Sequence, residues 1–309
     1  MSASGGTRAI VAALLANLGI ALTKFVAWLL TSSSSMLAEA IHSVADSGNQ
    51  LLLIIGGRRS QQEATSEHPF GYGRLRYLYA FMVSVVLFSV GGLFALYEAY
   101  HKLLEPQAIH SWQWVPVTVL VVAIGLESFS FRTAIQESNQ VRGNLSWTDF
   151  IRRAKAPELP VVLLEDFAAL VGLVLALLGV GLTLLTGNGI WDAVGTGAIG
   201  VLLVVVAIAL AMETRSLLIG EAASEENLAA IVQAITAGDE VERIIHMRTS
   251  HISPDELLVA AKVAVRHDDT AATVARNIDA IESRIRAAVP IATVIYLEPD
   301  LDRADRPGS

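Results

Sequence analysis

A six-helix transmembrane domain followed by a small α+β domain is the architecture this 309-residue sequence predicts. Three observations carry that expectation. Residues 1–212 hold six apolar runs of spanning length, residues 213–309 return to ordinary charge density, and the cations collect on alternate connections between the runs. Overall the chain is 53% hydrophobic and 17% charged, against about 45–50% and about 25% for a soluble domain.

A spanning helix needs roughly 20 apolar residues to cross about 30 Å of hydrocarbon. The runs fall at about 9–30, 36–57, 77–101, 113–136, 158–185 and 190–212. Helices this apolar on every side have no face to turn to water. Three connections are short or nearly uncharged: Thr31 to Ser35, Lys102 to Ser111, and Thr186 to Gly189. The others carry Arg58, Arg59, Arg74 and Arg76, then Arg142, Arg152, Arg153 and Lys155, while Arg8 and Arg215 flank the first and last runs. The positive-inside rule then places both termini in the cytoplasm, and the expected home is the plasma (inner) membrane, crossed several times. MSASGGTR leads into the first run without a small-residue cleavage site, so that run is expected to be kept as a span.

The tail, 213–309, predicts a helix over Glu225–Ala237 with Leu228, Ile231, Val232 and Ile235 on one face. Strands follow around Arg243–His251 and Leu257–Arg266, the second alternating Leu258, Ala260, Lys262 and Ala264. Thr270–Ala288 has helical period, and Thr293–Leu297 is β-branched. The order α-β-β-α-β suits a compact sheet covered by helices.

Composition excludes several roles. The tail carries 10 Lys/Arg against 17 Asp/Glu, and the first 212 residues carry 12 against 13, so nothing offers the clustered cations that nucleic acid requires. There is no Cys, which removes disulfides and thiolate metal sites. No G-x-x-x-x-G-K-[ST] loop is present, so nucleotide hydrolysis is not the energy source.

An ionisable side chain at membrane depth costs about 2.5–3.5 kcal/mol, so each one is a functional candidate. His42 and Asp46 share a helix face one turn apart. Asp46 lies roughly 15 Å in from Met36, and Asp166 lies roughly 14 Å in from Pro157 at the opposite end of its run. Both depths are near the bilayer centre. Imidazole and carboxylates at one depth suit a divalent ion such as zinc, which takes four ligands from nitrogen and oxygen, and two carboxylates neutralise it. His42, Asp46 and Asp166 supply three ligands, and water, Glu165 or Glu127 the fourth. Glu165 sits about 100° around the helix from Asp166, so it is expected to back the ligands or carry protons, with a ligand role as the alternative. Helix glue is the competing role for His42 and Asp46, although Ser, Thr, Asn and Gln more often serve that purpose. Asn17 and Glu127 are auxiliary candidates for the site or its entry path. Helix packing and pairing with Arg132 are their respective alternatives. Lys24, Glu39, Glu98 and Lys102 are expected to reach the interfaces along their stems.

At these residues the chain resembles the cation diffusion facilitator family of metal–proton exchangers, from about residue 9 to 299. The resemblance rests on His42-x-x-x-Asp46, on His68-Pro69-Phe70-Gly71-Tyr72-Gly73-Arg74, on Trp191-Asp192-Ala193 and on Glu298-Pro299. It implies a central metal site shared by the second and fifth spans, exchange of cytoplasmic metal for external protons, and a ferredoxin-like tail that forms a homodimer. Val162 stands where the fifth-span pattern usually has His or Asp, and Leu163-Leu164-Glu165-Asp166 is similar to the subgroup related to the mitochondrial zinc transporter. His246 and Glu298 match tail positions that hold metal in some relatives, while Lys262 and Tyr296 replace other ligands there, leaving at most a weak tail site.

Chemistry and resemblance together predict a secondary transporter with no resident cofactor, moving Zn2+ outward against protons by alternating access around a midplane site. Mn2+, Fe2+ and Co2+ are the alternative cargoes, because carboxylate-rich sites favour harder ions. A membrane-embedded metalloenzyme would need a base and a cleft; Glu165 is present, but no H-E-x-x-H pair. A metal sensor acting through the tail is the remaining rival.

Overall fold

The computed structural model describes residues 3–106 and 112–301, with side chains from Asn17 onwards. The side chain of Arg8 and part of the Lys102–Ser111 connection lie outside the described residues. The chain divides into two compact units, one of residues 1–60 with 75–215, the other of 61–74 with 216–309.

The first unit is entirely helical. Its long helices are α1 (Ala3–Thr31), α2 (Ser34–Arg59), a continuous helix Leu75–Leu104, α5 (Trp114–Arg142), α7 (Glu158–Thr186) and α8 (Ile190–Ile219). The third comprises α3 (Leu75–Val86), a π-helical segment (Leu87–Leu93) and α4 (Phe94–Leu104). Among the described residues, Leu75–Leu104, α5, α7 and α8 are long and apolar enough to cross a membrane. This is a helical transmembrane region. α2 falls outside that set because Glu39, His42, Asp46 and Asn49 interrupt it with a buried polar stripe.

Packing follows the small residues. A Cβ on Gly179 of α7 would lie 2.9 Å from the Trp191 carbonyl oxygen and 3.2 Å from the Gly195 Cα of α8. Only glycine lets these two backbones approach so closely. Met36, Leu87, Leu120, Leu173, Ile199 and Leu203 fill the interior, while Leu22, Phe129, Leu185 and Met212 point outward, the distribution expected where lipid is the solvent.

The α1–α2 turn is pinned from two directions. Lys102 Nζ donates to the Ser32 carbonyl at 2.8 Å, so this lysine does not simply extend along its stem to the interface. Asp192, at the start of α8, is 1% exposed and caps α2. It accepts from Ser34 N at 2.8 Å, Ser35 N at 3.3 Å, Ser33 Oγ at 2.9 Å and Ser34 Oγ at 3.0 Å. A carboxylate is favoured there by the unpaired N–H groups and the positive end of the helix dipole.

The connection from α5 to α7 contains a short helix that the residue pattern does not announce, α6 (Trp147–Arg153), capped by Ser146 Oγ accepting from Asp149 N at 3.1 Å. Arg142 stacks 4.3 Å above the Trp147 ring.

In the second unit, α9 (Glu225–Thr236), β1 (Arg243–Ser253), β2 (Glu256–Val265), α10 (Ala271–Ala288) and β3 (Val294–Leu301) follow the expected order. β1 and β2 pair antiparallel, and β3 lies parallel to β2 on its other side. Ile231, Ile235, Ile281 and Ile285 from the helices meet Leu257, Val259, Ala261 and Val263 of β2. The second unit is thus an α+β domain with its own core. The segment 61–74 groups with it, and Gly73 packs so tightly on Ser253 that a Cβ there would collide.

Candidate metal-ion site

α2 builds most of the site. Glu39, His42, Asp46 and Asn49 recur at spacings of three and four, which keeps them on one face of a helix. All four are buried. His42 Nδ1 lies 3.3 Å from Asp46 Oδ1. Across from it, α7 brings Glu165 and Asp166, 3% and 8% exposed, and α5 brings Glu127, also buried. The π-helical segment completes one wall, where a Cβ on Gly91 would approach His42 Nδ1 to 4.0 Å. π-Segments within α-helices are often found at functional sites.

The two α7 acids face different helices. Glu165 turns towards α2: its Oε1 accepts from Asn49 Nδ2 at 2.5 Å, and its carboxyl is within hydrogen-bonding reach of Asp46. Asp166 turns towards α5, where its Oδ2 accepts from Ser130 Oγ at 2.9 Å. The one-residue offset explains the division, since neighbours on a helix point about 100° apart. Glu127 feels the charges of Lys24, Asp166 and Glu39, which sets it among the site residues. Asn17 is half-buried on α1.

The donor set is under-satisfied. Both ring nitrogens of His42, Asp46 Oδ1 and Asn49 Oδ1 are buried without a hydrogen-bond partner. Buried polar atoms are nearly always paired, so orphans clustered on one face point to a missing partner. Two carboxyls within reach of each other, here Asp46 and Glu165, must share a proton or a cation. Among the described residues, no three His, Asp or Glu side chains are already drawn together as an ion cage. The groups are gathered on facing helices but not closed into a cage.

Four partners escaped the residue pattern or were assigned another place by it. Asn49 continues the His42–Asp46 face at the next helical step, and that spacing was available to find it. Ser130 and Asp192 gave no such signal, because their partners lie on other helices. Lys24, expected to reach an interface, is 1% exposed and ion-paired with Glu39 at 3.0 Å.

In the second unit, Lys262 separates the two tail candidates. His246 pairs with Lys262 across β1–β2, and Lys262 with Glu298 across β2–β3. Lys262 Nζ lies 2.9 Å from Glu298 Oε1 and 3.2 Å from Asp300 Oδ2. An ammonium group therefore already holds the carboxylates a tail metal would need.

The mitochondrial proton-coupled zinc antiporter SLC30A9 of Mus musculus is 31% identical over 243 residues, covering 78% of this chain and 42% of the relative. Metal tolerance protein C4 of Arabidopsis thaliana is 29% identical over 265 residues, covering 83% and 56%. The cation-efflux pump FieF of Pectobacterium carotovorum is 34% identical over 126 residues, covering 40% and 42%. The chain thus spans about half or less of the length of these curated relatives. The cation efflux transmembrane domain model matches residues 10–219. The chain therefore belongs to the cation efflux, or cation diffusion facilitator, family of membrane transporters.

Proposed function

We propose that this chain exports a divalent transition metal from the cytoplasm in exchange for protons, with Zn2+ as the first cargo. The observation that carries this reading is the buried His42–Asp46 pair, whose ring Nε2 has no hydrogen-bond partner, set against the Glu165 carboxyl. His42, Asp46 and Glu165 grasp the ion, and Asp166 joins when α7 turns relative to α5 and releases Ser130. Closing the site over a metal and opening it over protons are then two arrangements of the same donors, as alternating access requires. Six spans, 1–212, place both termini in the cytoplasm of the plasma (inner) membrane, and the tail, 213–309, joins two copies as a homodimer. The chain's similarity to the proton-coupled zinc antiporter SLC30A9 supports zinc and proton coupling.

The test is flux into sealed vesicles holding purified protein, under an imposed proton gradient, with Zn2+, Mn2+, Fe2+ and Co2+ offered separately. Zinc uptake that collapses with the gradient is the expected result. Flux indifferent to the gradient overturns the exchange mechanism, and a stronger response to Mn2+, Fe2+ or Co2+ replaces zinc as the cargo. A C-terminal tag that reacts with an impermeant reagent in intact cells overturns the orientation.

A further inference from the structure

We propose that Lys24 is a tethered counter-cation that weakens metal binding at the His42–Asp46–Glu165 group, so that a transported ion is released instead of trapped. The inference rests on the reading of that group as the transport site. Lys24 is fully buried on α1, and its Nζ donates to Glu39 Oε2 at 3.0 Å and to Ser43 Oγ at 2.7 Å. Asp46 lies three residues beyond Ser43 on the same face of α2, where such neighbours have Cβ atoms about 5–6 Å apart. The ammonium therefore bridges Glu39 and Ser43, about one turn of α2 from Asp46. Its charge, and not that of Glu39, is felt at His42 and Asp46, so the ion pair acts on them as a dipole with its positive end nearer.

Its field reaches the donors. Lys24 interacts electrostatically with His42, Asp46 and Glu127. In a buried region such interactions are several times stronger than at a wet surface. The pair is also held in place. Glu39 Oε1, buried without a hydrogen-bond partner, faces α7, where a Cβ on Gly172 would lie 2.8 Å from it. Joining α1 to α2 does not require a lysine, because buried ion pairs are often matched by apolar replacements of similar volume. A transport site, however, must bind weakly enough to let its cargo leave. A fixed positive charge beside two carboxylates meets that need.

The test measures zinc Kd, and the KM and kcat of zinc flux, for the full-length protein and two variants. Glu39→Gln leaves the ammonium uncompensated and should raise Kd and KM by about tenfold or more. The pair Lys24→Met with Glu39→Gln removes the dipole. It should lower Kd by about tenfold and slow turnover, because the ion is held longer. A pair that only fastens α1 to α2 predicts lower melting temperatures for both variants with Kd unshifted, and that result overturns the proposal. Where Glu39→Gln does not fold, the double variant decides alone: a Kd no lower than that of the unaltered protein overturns it. Asp46→Asn is measured alongside. Undiminished flux by Asp46→Asn overturns the site reading and this proposal with it. Flux lost in Asp46→Asn, with Kd unmoved in the double variant, overturns this proposal alone.

Discussion

Asn49 of α2 donates its Nδ2 hydrogen to Glu165 Oε1 of α7 at 2.5 Å, a bond between residues 116 positions apart. It fixes which α7 acid faces the His42–Asp46 pair. Asp166, the residue whose depth first singled it out, is instead held by Ser130 of α5. The site is thus a contact between α2 and α7 with a latch to α5, and the latch and the contact are adjacent residues of one helix.

That division predicts unequal losses at the two acids. Glu165→Gln removes a charge that faces Asp46 and should abolish flux or reduce it by about 100-fold or more. Asp166→Asn keeps an oxygen able to accept from Ser130 and should cost about 10-fold, because Asp166 joins the ion in only one of the two arrangements. Vesicle flux of both variants, with melting temperature as a control, checks the ranking. Equal losses would show that both acids hold the ion in both arrangements.

Asp192 predicts a stability effect without a change in affinity. Its carboxylate accepts four hydrogen bonds from Ser33, Ser34 and Ser35. Asp192→Ala leaves the buried N–H groups of Ser34 and Ser35 without their acceptor while Ser33 still caps Met36 N, which should cost about 1–3 kcal/mol. Thermal unfolding in detergent should show the loss, while the KM for zinc of the surviving protein stays within about twofold. A KM shifted without loss of melting temperature would place Asp192 on the ion path instead.

The long helices were legible because apolar runs of spanning length can do little else in a chain. The tail was legible because its apolar periods change from helical to strand-like and back. What escaped has physical causes. The π-helical segment is spelled LFSVGGL, residues that suit any lipid-facing helix. The Asp192 cap joins groups 158 positions apart, beyond the reach of local pattern. Lys24 has a stem long enough for an interface, and only the placement of Glu39 and Ser43 shows that it turns inward. The depth of Asp166 was read from its count along α7, but depth does not give azimuth, and it is azimuth that turns Glu165 to Asn49 and Asp166 to Ser130.

The second unit carries an acid-sensitive tie. Arg284 donates to both carboxylate oxygens of Glu240, at 2.8 and 3.1 Å, and to the Ala234 carbonyl at 2.9 Å. Those bonds hold the Glu240 carboxyl below its ordinary value near 4.5. A depressed folded-state value adds stability above the unfolded value, and that stability is lost as pH falls through the folded one. The tail, 216–309, has its own core and should fold alone, losing the stability of this bridge as pH falls below the ordinary carboxylate value near 4.5. Glu240→Gln should flatten that part of the curve. Denaturant titrations at several pH values check it, and an unchanged slope in the variant would assign the acid sensitivity elsewhere.

Lys262 predicts how the tail answers metal. Its ammonium is held by Glu298 and by Asp300, and these bonds raise its proton affinity above the ordinary lysine value. The stability it adds is present below the unfolded value and is lost as pH rises through the raised one, so at neutral pH the ammonium is in place. A metal entering between His246 and Glu298 must displace it and take the carboxylates from it. The unaltered tail should therefore bind zinc weakly. Lys262→Ala removes the ammonium from Glu298 and Asp300 beside His246, and nitrogen and oxygen donors on one sheet face suit zinc. The variant should bind zinc at least about tenfold more tightly by calorimetry, even though it loses a tie across β2 and β3. The double change Lys262→Ala with His246→Ala should return the affinity to that of the unaltered tail. Tight zinc binding that Lys262→Ala leaves unmoved would place any tail metal away from this strand register.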